Sequence, residues 1–98
     1  MNPFDVIKNM QNIQSQMQQM QSKLETMRAT GSSGAGMVEI TINGKMEVQS
    51  IHISSEIVDP SDISTLEVLV ASAFNAAVNN IQDQLKSEAT SLAGGMNL

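Results

Sequence analysis

Seven apolar residues near the start of the chain, Val6, Met10, Ile13, Met17, Met20, Leu24 and Met27, follow one another at spacings of four and three without a slip. This is the a/d repeat of a helix that docks one narrow seam on another surface. Asn2 suits the N-cap, Pro3 the first helical position and Asp5 the first turn. A helix over residues 1–26 is therefore expected, with Pro3 to Glu25 spanning roughly 35 Å at 1.5 Å per residue. A compact domain of about 100 residues has a radius of gyration of only about 13 Å. One small chain can hardly cover so long a seam, so the spacing predicts a homodimer, or another assembly, with projecting helices.

No charged residue lies between Asn9 and Ser22. The positions beside the seam are glutamine, asparagine and serine, and they lack the charge pairs that specify a two-stranded coiled coil. Methionine adapts its shape, so the seam suits a helix or a sheet as its counterpart.

The stretch from Thr30 to Gly36 (Thr-Gly-Ser-Ser-Gly-Ala-Gly) ends the helix in a tight turn or a short strand crossing. Residues Met37 to Ile42 then alternate at period two, with Val38, Ile40 and Ile42 on one face. Asn43-Gly44 signals a hairpin. The returning strand carries Met46 and Val48, then Ile51 and Ile53, and its phase slips at Gln49-Ser50, which reads as a bulge or bend. A second helix is expected over 59–88. It begins at Asp59-Pro60, with Ser64-x-x-Glu67 as a competing capping box. Its apolar stripe runs from Ile63 to Leu85, with Phe74 expected at the centre of the core. Residues 89–98 read as a flexible tail. The order is that of one small α+β domain.

Ninety-eight residues without cysteine exclude a disulfide frame and a thiolate site. The chain has no secretory signal and no run of transmembrane length, which sets a cytoplasmic expectation. The net charge of −5 is unevenly spread. Residues 1–30 hold three basic and two acidic residues, whereas 31–98 hold two basic and eight acidic ones. An anionic partner should therefore meet the first helix rather than the sheet. Gly36 opens a strand and no lysine follows it, so the glycine turn is not a phosphate-binding loop. His52 lies between Ile51 and Ile53 on the polar face, without partners for a metal. Glu39 and Glu47 stand on strands joined by the hairpin and could approach one another, but an open sheet face gives carboxylates no raised pKa. No metal, cofactor, small-molecule substrate or enzymatic role is expected.

In this order, the segments Gly31–Ile53 (GSSGAGMVEITINGKMEVQSIHI) and Leu66–Gln82 (LEVLVASAFNAAVNNIQ), with the Met/Gln-rich first helix and the Gly-Gly-Met tail, resemble the YbaB/EbfC family of bacterial nucleoid-associated proteins. The resemblance covers nearly the whole chain. It implies helix, three antiparallel strands and helix, with an extra strand around Met27–Ser32 and the sheet over 27–54. It also implies a tweezer-like homodimer, a cytoplasmic, nucleoid location, and binding of double-stranded DNA with little sequence preference. Lys8, Lys23, Arg28 and Lys86 are then the candidate phosphate contacts. Val6, Met10, Ile13, Met17, Met20, Leu24 and Phe74 form the dimer interface or core seam. Roles in nucleoid organisation or gene regulation would follow. The alternative is an acidic dimeric protein-interaction module, an adaptor or scaffold without direct DNA binding, supported by the acidic balance and the adaptable methionine seam.

Overall fold

In a computed structural model that describes residues 2–96, the chain forms α1 (Pro3–Thr26), β1 (Ala29–Ser33), β2 (Val38–Ile42), β3 (Val48–Ile53), a 3-10 turn (Ser55–Ile57) and α2 (Ile63–Met96). The strands make one antiparallel sheet in the order β1-β2-β3. The α+β architecture is the expected one. Asn2 caps α1 through its side chain, which accepts from the Phe4 amide at 3.1 Å.

The core is small and close. Val38, Ile40 and Ile42 of β2 pack under Ala73, Ala77 and Ile81 of α2, with Ala29 of β1 beside them. Small residues let the two layers approach closely. A Cβ built on Gly31 would lie 2.1 Å from the Ala73 carbonyl oxygen and 2.2 Å from the Ala77 amide nitrogen. Phe74, expected at the centre, is therefore only half-buried and packs at the flank of this core. An aromatic ring has no room where a helix backbone lies directly on a strand. Three side-chain hydrogen bonds tie α2 to β1 and its approach. Asn80 donates to the Thr30 carbonyl at 2.7 Å, Gln84 to the Arg28 carbonyl at 3.0 Å, and Ser33 to the Leu69 carbonyl at 2.6 Å.

The bulge appears where the phase slips. Thr41 pairs with Ser50 and Ile42 with Val48, which leaves Gln49 unpaired. The β2–β3 hairpin closes through Asn43, whose amide donates to the Glu47 carbonyl at 3.0 Å. The Asn43 side chain also accepts from the Lys45 and Glu47 amides, so this buried polar group is satisfied. The turn places Met46 at φ 64°, in the left-handed region. That conformation costs a non-glycine residue about 1–2 kcal/mol. Met46→Gly removes the strain but adds about 0.5–1 kcal/mol of backbone entropy. We expect a net gain of about 0.5 kcal/mol, seen as a higher urea midpoint at unchanged slope.

The connection to α2 differs from either expected start. Asp59 accepts from the Ser61 amide and hydroxyl, making a turn rather than a helix start. The Asp62 carboxylate then accepts from the Thr65 amide and hydroxyl, and α2 begins at Ile63. At the other end, α2 continues through residues 89–96, which were expected in a flexible tail. Leu92 and Ala93 are good helix formers and carry the helix on. Residues 97 and 98, the last of that tail, lie outside the described residues.

α1 stands away from this body. None of its residues is buried, and the molecule measures 70 × 27 × 17 Å with a radius of gyration of 19.7 Å. Only its last turns are held. The Gly44 amide donates to the Leu24 carbonyl at 2.8 Å, and Lys45 pairs with Glu25 at 2.8 Å. The seam does not cover its own sheet.

Candidate nucleic-acid interface

Phosphate recognition begins with cations, and this chain has five. Lys23 extends from the last turns of α1 to Glu88 of α2, with 2.6 Å between Nζ and Oε2. Arg28 follows α1, and its Nη1 donates to the Glu25 carbonyl at 2.6 Å and the Met27 carbonyl at 2.8 Å. It thus closes the carbonyl end of the helix, where a cation is favoured. Lys45, in the hairpin, was no sequence candidate. Its hydrogen bond to Glu25 outweighs an opposing effect of burial and, with the charges of Glu25 and Glu47, holds its ammonium charged to higher pH than usual. These three cations gather at the base of α1 with Glu25 and Glu88.

Lys8 and Lys86 differ. Both are exposed and make no ion pair among the described residues. Lys8 lies on α1 on the face opposite the apolar seam, by helical spacing. Lys86 lies on α2 beyond Gln84, the residue that bonds the backbone just before β1. The structure thus separates the four sequence candidates into two engaged groups, Lys23 and Arg28, and two open ones, Lys8 and Lys86.

Four of the ten acids lie together elsewhere. Glu56, Asp59, Asp62 and Glu67 lie in or just after the connection that starts where Ser54 bonds the Met37 carbonyl, at the end of the sheet away from α1. Hydrogen bonds from Ser61 hold the Asp59 carboxyl below its ordinary pKa, so it stays charged. Glu39 and Glu47 do not approach one another. Glu39 is the cross-strand partner of His52, while Glu47 accepts from the Asn43 side chain in the turn. Among the described residues no three His, Asp or Glu side chains gather as a metal site. No described helix is long and apolar enough to cross a membrane.

The sheet leaves a second open surface. Ile51 pairs with Ile40 and Val48 with Ile42, so both point to the face that carries α2. Yet α2 lies mainly over β1 and β2, with Ile53 at the end of β3 packed against the core, and Val48 and Ile51 remain 47% and 53% exposed. By helical spacing the α2 flank turned toward them carries Val70, Phe74 and Val78, all half-buried. Together they make an uncovered apolar trough.

The model of the YbaB/EbfC DNA-binding family matches residues 1–96. A nucleoid-associated protein of Paramagnetospirillum magneticum is 43% identical over 94 residues, covering 96% of this chain and 88% of the relative. A nucleoid-associated protein of Clostridium kluyveri is 39% identical, covering 96% of this chain and 82% of the relative. The crystal structure of an uncharacterized protein from Helicobacter pylori shares the fold, with a TM-score of 0.74 at 20% identity, covering 95% of this chain and 98% of that one. The relatives are named as nucleoid-associated proteins, not as enzymes.

Proposed function

The chain belongs to the YbaB/EbfC DNA-binding family, and from that membership we propose that it binds double-stranded DNA as a homodimer with little sequence preference, at the nucleoid in the cytoplasm. The observation that carries this reading is the family match over essentially the full chain. Organisation of the nucleoid or gene regulation would follow from such binding. Lys8 and Lys86 are the phosphate contacts, because neither is held by an acid of its own chain among the described residues. Lys23 and Arg28 serve mainly to fix the base of α1. The second copy covers the trough formed by Val48, Ile51 and Phe74, where apolar area is otherwise left in water. The two pairs of arms then extend from one dimer as tweezers.

With two open lysines per protomer, a dimer neutralises about four phosphates. Log affinity should then fall with log salt at a slope of about −3.6. Fluorescence anisotropy of labelled duplexes, titrated at rising salt, tests this. Lys8→Ala/Lys86→Ala is expected to flatten the slope to near zero and to weaken binding at least about tenfold on every sequence alike. Unchanged affinity in the double variant would overturn the assignment of these lysines. The pairing of Lys23 and Lys45 with acids favours the protein-interaction module instead. Absence of wild-type binding even at low salt would decide for that reading.

A further inference from the structure

The face of α1 opposite the seam begins with an aromatic ring in water. Phe4 is 78% exposed, and Ile7 beside it is 53% exposed. The ring does not sit on a loose end. The Asn2 side chain accepts from the Phe4 amide at 3.1 Å, and the Asn2 carbonyl accepts from the Asp5 amide at 3.0 Å, so Phe4 stands on a closed first turn. The Phe4 amide is taken by that cap, which leaves the side chain as the group on offer. The ring also stands at the tip of the helix, roughly 30 Å along the axis from Leu24, where the Gly44 amide holds α1.

What surrounds the ring narrows what it can meet. Residues three and four apart are neighbours on a helix, so Phe4 adjoins Ile7 and Lys8. Lys8 is one of the two lysines without an acid partner among the described residues. Farther along, the same face carries Gln11, Ser15, Gln18 and Ser22. The apolar contact is thus confined to the first turns. A helix that docks in a protein groove or lies on a membrane repeats its apolar residues at every third or fourth position of the docking face. Here those positions are amides and hydroxyls, groups that bond phosphates, sugars and base edges. Asp5, the nearest acid in sequence, lies about 100° round the helix from Phe4.

We propose that Phe4 is a wedge that enters a base step of duplex DNA while Lys8 holds a neighbouring phosphate. This rests on the duplex binding proposed above and adds what the tip of each arm does there. An apolar side chain inserted between base pairs unstacks one step and kinks the duplex by about 20–90°. The ring leaves water for the faces of the bases. The cost of unstacking depends on the step. TA and CA/TG steps part easily, whereas A-tracts are stiff. The wedge therefore selects deformable steps without reading any base edge.

A duplex with a fluorescent adenine analogue at a central TA step, quenched when stacked, and a dye pair at its ends tests this. Binding is followed in parallel by anisotropy. Wild-type protein at saturation should raise the analogue's fluorescence and bring the ends together. Phe4→Ala should lose both signals at saturation and bind at least about fivefold more weakly, the lower end of what base–aromatic stacking contributes. Its salt slope should stay that of wild type, because no charge is removed. Phe4→Leu keeps an apolar wedge and should retain a bend. The urea transition of each variant should match wild type, because no residue of α1 is buried. An unchanged bend and analogue signal in Phe4→Ala would overturn the proposal. So would a flattened salt slope in that variant, since the first turn would then act only through Lys8. Wild-type binding that leaves the duplex straight and stacked also overturns the wedge, while the duplex-binding reading stands. Absence of wild-type binding at low salt overturns both.

Discussion

Gly31→Ala should remove a large part of the protein's stability, with an expected loss of about 3 kcal/mol or more. The added methyl group would meet the Ala73 carbonyl oxygen at 2.1 Å, the Ala77 amide nitrogen at 2.2 Å and the Ala76 carbonyl carbon at 2.8 Å. These are backbone atoms inside a hydrogen-bonded helix, so none can turn aside as a side chain would. Relief requires α2 to lift from β1. That would loosen Ala73, Ala77 and Ile81 from Ile40 and Ile42, which together are the core. Overpacking into an ordinary core costs about 1–3 kcal/mol, and here the obstacle is rigid. Small domains have only about 5–15 kcal/mol in total. Urea unfolding followed by far-ultraviolet circular dichroism measures the loss. Gly36→Ala is the control. Nothing lies within 4 Å of its Cβ, so only the left-handed φ of 87° is penalised, at about 1–2 kcal/mol. Similar losses in the two variants would mean that α2 sits farther from the sheet than described.

The second large effect is expected at Ile51. In the free protomer its side chain is half exposed, so Ile51→Glu leaves the fold intact. In the proposed dimer the same position is closed by the second copy, and a carboxylate there loses its water without gaining a partner. Such a buried unpaired charge costs about 3–5 kcal/mol. Two copies of the substitution meet in one symmetric interface. The dissociation constant of that contact should therefore rise at least about a hundredfold, a factor that corresponds to about 2.8 kcal/mol. Sedimentation at fixed concentration reads it directly. DNA affinity should fall in parallel, because a protomer offers half the phosphate contacts. An Ile51→Glu protein with unchanged mass would refute the trough as an interface.

Much of this was readable from residue order, and the exceptions have physical causes. The α1 seam as far as Leu24, the strand Val38–Ile42, the hairpin at Asn43-Gly44 and the slip at Gln49 each carry a local signature and lie where it places them, whereas Met27, read on the seam, falls past the end of α1 and Met46, read on the returning strand, falls in the turn. β1 carries none. Ala29, Thr30, Gly31, Ser32 and Ser33 lack apolar alternation, because a strand pressed against a helix backbone needs small residues rather than large ones. Only the family resemblance located it. The same close approach displaced Phe74 from the core centre. The ends of α2 were misplaced for another reason. Two starts competed, Asp59-Pro60 and Ser64-x-x-Glu67, and residues 89–98 read as a tail. For the candidate site, residue type alone could not separate open cations from engaged ones. Glu88 is 65 residues from Lys23, and nothing local to either residue marks the pair.

The clamp at the base of α1 has a mechanical consequence. The Gly44–Leu24 hydrogen bond and the Lys45–Glu25 pair grip the helix at one end, like a hand on a rod. A small change of angle at that grip becomes a large sweep at Phe4, roughly 30 Å away along the axis. The hairpin therefore sets the aim of α1, while the sheet and α2 stay fixed. Lys8, near the far end, travels through most of that arc. Under the proposed duplex binding, a backbone path that bends or varies in width is followed by pivoting, with no cost to the core.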